Sequence, residues 1–137
     1  MNSTARSVFA VVDGLLMFLA LEGVFYAIAF LGLNRSFDTP TPTYLICNLA
    51  WGLLAAVLSG YTASRVARRL PVQHGVAVAV PLLLLGIYNI HKGLGNRNTP
   101  YVLAFNLLVP VACVIGAALY HQRRIRSYAA TSFRSPR

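Results

Sequence analysis

Glu22 is an acidic residue set deep within a long apolar run, Val8 to Leu33, eleven residues from its far end. A lone carboxylate in hydrocarbon is costly, so it either pairs or is held protonated. Two kinds of role follow. Facing a bundle interior, it would bind and release a proton or cation; as a neutral acid, it would hydrogen-bond a neighbouring helix through Tyr26, Asn48, Asn106 or Tyr61. With no cation at its depth in the sequence, we expect the packing role, and take Glu22, Asn48 and Asn106 as the candidate intramembrane polar site. Asp13 lies near the opposite end of the same run. Nine residues from Glu22, it is turned by about 900°, so the two acids point to opposite sides of a helix and make no catalytic pair. We expect it to anchor the helix end by snorkelling or by meeting Arg65, Arg68 or His74.

Other reactive residue types are scattered. His74 and His91 bracket the third apolar run and His121 closes the fourth, none with a second histidine or cysteine three or four residues away, so they read as interfacial polar residues and no metal is expected. Cys47 and Cys113 fall at different depths in their runs, too far apart for a disulfide, and both are expected to be small buried residues. Tyr44, Tyr88 and Tyr101 read as an aromatic belt and Trp51 as a packing residue. No phosphate-binding glycine loop, nucleophile elbow or Ser/His/Asp constellation is present, which argues against most enzymes, and no cofactor is expected. The glycosylation sequons at Asn2 and Asn34 fall in a cytoplasmic end and against the membrane, where modification is not expected.

The elements that must position these residues are four apolar runs, at residues 8–33, 44–63, 72–90 and 101–120, each near the roughly 20 residues a helix needs to cross a bilayer. With 57% hydrophobic and 11% charged residues, the 137-residue chain lacks the polar surface of a water-soluble globule. The expected fold is an all-α bundle of four transmembrane helices over residues 1–126, followed by a basic flexible tail, 127–137. The net charge of +9 does not indicate nucleic acid, because Arg65, Arg68, Arg69, Arg123, Arg124 and Arg126 sit at helix ends as a rim facing anionic lipid headgroups. Nine basic residues fall on one side (Arg6, the three of the middle connection and five from Arg123 onward) against Arg35, Lys92 and Arg97 on the other, which places both termini in the cytoplasm. Ala27-Ile28-Ala29 looks like a signal-peptide cleavage site, but the apolar run continues past it and is too long for a signal sequence.

The two outer connections resemble each other. Gly32 to Pro40 aligns with Gly93 to Pro100; Thr-Pro pairs open the following helices; Asn48 matches Asn106, and Arg65 and Arg68 match Arg123 and Arg126. This is either a duplicated helical hairpin or the common chemistry of outer loops, and the first and third runs share little. For packing, Ala56, Gly60 and Ser64 recur every four residues, with Ala112 and Gly116 offered by the fourth helix, so close approach is expected there and the second helix is expected to be central. Pro81 and Pro110 each remove a bond to the carbonyl four residues earlier, at Ala77 and Asn106, and kinks are expected.

The string Gly60-Tyr61-Thr62-Ala63-Ser64-Arg65-Val66-Ala67-Arg68-Arg69, then Pro71 and His74-Gly75, resembles a cytoplasmic turn of small uncharacterised bacterial four-helix integral membrane proteins, in which a glycine-rich helix end meets a short basic stretch and a His-Gly or His-Ala helix start. It covers about a quarter of the chain, and Tyr61 stands where that pattern often has a second glycine. The resemblance implies a bacterial inner-membrane location and four-helix topology, and no activity. Together these readings lead us to expect a non-catalytic structural or accessory membrane component, acting through the small-residue faces of its second and fourth helices, with self-association or a larger membrane complex as partner. The competing reading is a small proton-coupled transporter using Glu22, as in small multidrug transporters, which also have four helices and a carboxylate in the first.

Overall fold

The computed structural model describes residues 3–33, 41–67, 70–93 and 99–132. The described chain is all-helical: α1 (Ser3–Leu33), α2 (Pro42–Ala67), α3 (Pro71–Gly93) and α4 (Thr99–Ser132). All four helices are long and apolar enough to cross a membrane. Residues 34–40 and 94–98, which carry the similarity between the two connections, and Arg68, Arg69 and the last five residues lie outside the described residues.

Helix ends follow local chemistry. Thr41 caps α2, its hydroxyl accepting from the Tyr44 amide at 3.3 Å and its carbonyl from Leu45 at 3.1 Å, with Pro42 in the first helical position. Ser64 Oγ lies 2.8 Å from the carbonyls of both Gly60 and Pro71, tying the end of α2 to the start of α3. Between them Leu70 turns the chain with φ of 47°, a left-handed conformation that costs a residue with a Cβ about 1–2 kcal/mol. The expected break at 127 does not occur: α4 runs on to Ser132. Nothing in 121–132 breaks a helix, and Arg124 Nη2 donates to Tyr128 Oη one turn on, at 3.2 Å.

Contacts at both ends set the helix directions. Asn48 meets Tyr101 at one end and Tyr61 meets Tyr120 at the other, so α2 and α4 run parallel. α1 is antiparallel to α2, with Trp51 on Leu21 and Ser59 on Gly14. The backbones of α2 and α3 each come close to those of all three other helices, whereas the backbones of α1 and α4 do not come close to each other among the described residues. The expected centrality of α2 is thus shared with α3.

The interior is made mostly of small side chains, among them Ala55, Ala56, Ala63, Cys113 and Ala117, with Phe18, Val78 and Leu82 as larger members, while Leu16, Leu31 and Leu84 are more than half exposed. Large apolar groups outside and small ones within suit a lipid solvent, where association depends on close packing. The tightest crossing joins α2 to α4: a side chain at Gly60 would collide with the Cys113 carbonyl, and one at Gly116 with the Val57 carbonyl. Ala56, Ser64 and Ala112 are buried beside this crossing. α4 stays helical through Pro110 and α3 through Pro81. The Asn106 carbonyl, deprived of its partner by Pro110, faces Gly86, whose missing side chain lets α3 come close.

Candidate functional site

Glu22 is 8% exposed and projects from α1 towards α2. Its Oε1 lies beside Gly52, where a side chain would meet that oxygen at 3.0 Å and collide with the Phe105 ring. Gly52 therefore makes the space in which an acid from α1 and an aromatic ring from α4 come together. One helical turn from Gly52, buried Asn48 donates through Nδ2 to Tyr101 Oη at 2.7 Å. Both Tyr44 and Tyr101 are within electrostatic reach of Glu22 and of Tyr26.

Aromatic rings enclose this group. Phe25 packs against Tyr44 with ring centres 5.7 Å apart and against Trp51 at 6.2 Å, and Tyr101 packs on Phe105 at 5.8 Å. The Trp51 indole donates to the Leu21 carbonyl at 2.8 Å, which holds α1 and α2 in register beside Glu22. Within this enclosure three polar atoms are buried without a hydrogen-bond partner: Glu22 Oε1, Tyr44 Oη and Asn48 Oδ1. Buried polar atoms are nearly always satisfied, so three orphans in one neighbourhood call for an explanation. Glu22 Oε1 and Asn48 Oδ1 can accept, and Tyr44 Oη can donate or accept, so the cluster suits a guest bearing positive charge or donor hydrogens. A pocket of about 360 Å³ opens between α1 and α2 on the far side of Phe25 and Tyr44, lined also by Thr41, Thr43 and Cys47.

Comparison with protein-family models, curated proteins and solved structures finds no match.

Several sequence expectations are redrawn. Asn106 is not part of the Glu22 group: its Nδ2 donates to Val102 of its own helix at 2.7 Å and its Oδ1 faces Asn89 of α3. About 100° of rotation per residue separates it from Phe105, which points at Glu22. Tyr61, another suggested partner for Glu22, instead packs edge-on against Tyr120 near the other end of the bundle, ring centres 5.4 Å apart. Tyr44 and Tyr101 are turned into the cluster, while Tyr88 stays exposed, with Lys92 Nζ 5.8 Å from its ring centre. Cys47 is exposed and lines the pocket between α1 and α2, and only Cys113 of the two is buried; both are free thiols. Asp13 is exposed on α1. Trp51, Gly52, Tyr101 and Phe105 were not read as site residues. Their aromatic and small character matches any transmembrane helix, and the only signal available was the one-turn spacing of Asn48 and Gly52 on one face.

Proposed function

We propose that this is a multi-pass protein of the bacterial inner membrane, with both termini cytoplasmic, that works as a small proton-coupled transporter through Glu22. The single observation that carries this reading is the group of three buried, unpartnered polar atoms on Glu22, Tyr44 and Asn48. A carboxylate kept for packing alone would have its oxygens bonded. Instead the neighbouring amide donates to Tyr101, leaving Glu22 Oε1 ready to accept a proton or to face a cation. The pocket beyond Phe25 and Tyr44 offers the approach from the outer end. A proton and a cationic solute would compete for the same carboxylate, which couples their movements. The nine-to-three division of basic residues supports the orientation.

The test uses the full chain in mild detergent, with tetraphenylphosphonium as a lipophilic cation probe. Binding should weaken on acidification, and Glu22→Gln should abolish both the binding and its pH dependence while leaving helical content intact. Unchanged binding in Glu22→Gln would overturn the assignment.

The reading as a non-catalytic accessory component rests on a different surface from the one expected. The small-residue faces of α2 and α4 are occupied by each other, so a partner would dock instead on an outward apolar surface, such as that of α1 at Phe9 and Leu16 or of α3 at Leu84 and Ile87, all more than half exposed. A duplicated hairpin is supported by the parallel α2 and α4 and opposed by the contact of α2 with α3, which has no counterpart between α1 and α4.

A further inference from the structure

We infer that the arginine-bearing end of α4 is a binding site for an anionic phospholipid, with the headgroup phosphate held by Arg123 and Arg124 and the glycerol and first acyl carbons against the apolar wall between the start of α3 and α4. The site is independent of Glu22 and lies at the opposite end of the bundle.

Depth identifies the occupant. From Thr99 to His121 is about 33 Å of helix, close to the roughly 30 Å hydrocarbon core. The helix does not stop there; it continues to Ser132. The stretch from His121 to Tyr128 therefore runs from the edge of the hydrocarbon core into the headgroup layer.

A groove runs along each side of this extension. Towards α3 lies a groove of about 700 Å³, whose apolar wall is Leu70, Val72 and Ile125 and whose polar rim is Gln73, His121 and Arg124. Towards α2 lies a second, of about 550 Å³, lined by Tyr61, Tyr120, Arg123 and Ser127. Arg124 and Tyr128 line both grooves. They form the ridge between them: the Arg124 guanidinium donates to the Tyr128 hydroxyl and lies 5.5 Å from its ring centre.

Among the described residues no acidic side chain lines either groove. Arginine presents planar paired donors suited to phosphate oxygens, and tyrosine hydroxyls lie around it. The α3-side wall is too apolar for a free phosphate. Leu70, Ile125 and Tyr128 are 61%, 55% and 63% exposed. An amphiphile with a phosphate at one end and hydrocarbon at the other fits both halves. A soluble anion fits only one.

The full chain is reconstituted in phosphatidylcholine vesicles carrying a small fraction of spin-labelled phosphatidylglycerol or, separately, spin-labelled phosphatidylcholine. The motionally restricted spin fraction measures each lipid's retention at the protein. Phosphatidylglycerol should be retained in preference to phosphatidylcholine. Arg123→Gln with Arg124→Gln should remove most of the preference, while Arg6→Gln, outside both grooves, should cost at most the roughly fivefold that any single arginine near an anionic surface contributes. Circular dichroism checks that helical content is kept. Ile125→Glu should also weaken retention, since it spoils the acyl wall without touching an arginine. Four results would overturn the assignment: an undiminished preference in the double variant, equal loss from Arg6→Gln, displacement of the lipid by inorganic phosphate, or cross-linking that finds a second copy of the chain seated in the groove.

Discussion

Replacing Gly60 or Gly116 by alanine tests the α2–α4 crossing most directly. A Cβ at either position would fall on a backbone carbonyl of the facing helix, Cys113 for Gly60 and Val57 for Gly116. A carbonyl cannot swing aside as a flexible side chain can, so the helices themselves must part, by on the order of an ångström. A gap of that size forfeits roughly a quarter to a half of the dispersion attraction across it, and such overpacking costs about 1–3 kcal/mol. Alanine returns about 1 kcal/mol of helix propensity, leaving a net loss of up to about 2 kcal/mol for each variant. Gly23 is the internal control, because a side chain there would meet nothing within 4 Å; Gly23→Ala should be neutral or stabilise by up to about 1 kcal/mol. The double variant carries the sharper expectation. Both collisions lie on one crossing, so the separation forced by the first relieves the second, and the combined loss should fall short of the sum by about 1 kcal/mol. Unfolding by sodium dodecyl sulfate titration from dodecylmaltoside micelles, followed by far-ultraviolet circular dichroism, measures all four proteins. If Gly60→Ala matched Gly23→Ala in stability, or the double loss were strictly additive, the crossing would not be as close as described.

Three further outcomes are expected. Ser59→Ala removes the 2.6 Å bond from Ser59 Oγ to the Gly14 carbonyl and should cost about 0.6–1.7 kcal/mol in the same titration, while Thr62→Ala, whose hydroxyl bonds only within its own helix, should cost less. N-ethylmaleimide, a membrane-permeant reagent, should modify Cys47 in the folded protein and reach Cys113 only after denaturation, read by intact mass; the exposed and buried thiols require that order. Leu70→Gly should stabilise the protein by about 0.5–1 kcal/mol by easing the φ of 47° at the α2–α3 turn, and a loss of stability would mean that the exposed leucine side chain matters more than its backbone conformation.

The number of helices, their order and their places along the chain were readable from the amino-acid sequence, because crossing a bilayer depends on run length and mean apolarity, both local properties. The Thr41-Pro42 cap and the close-packing role of Gly60 and Gly116 were equally legible, since a capping hydroxyl acts on its own helix and small residues four apart always share a face. The extent of α4 was not. Arginine and serine after Tyr120 suggested an end to the membrane run, but polarity ends a membrane span without ending a helix, and 121–132 has no residue that breaks one.

Rotation of each helix about its own axis is what only the tertiary structure decided. Hydropathy does not distinguish a tyrosine turned inward from one in the interfacial belt, so Tyr101 bonding Asn48 and Tyr44 beside Glu22 could not be told from exposed Tyr88. Asn48 and Asn106 look equivalent along the chain, yet one borders the acid and the other faces α3. Those choices follow from which small residues let which backbones approach: Gly52 admits Glu22 and Phe105, Gly86 admits the Asn106 carbonyl, and Gly60 with Gly116 locks α2 on α4. Each is a fit between surfaces on different helices, which no single stretch of sequence contains.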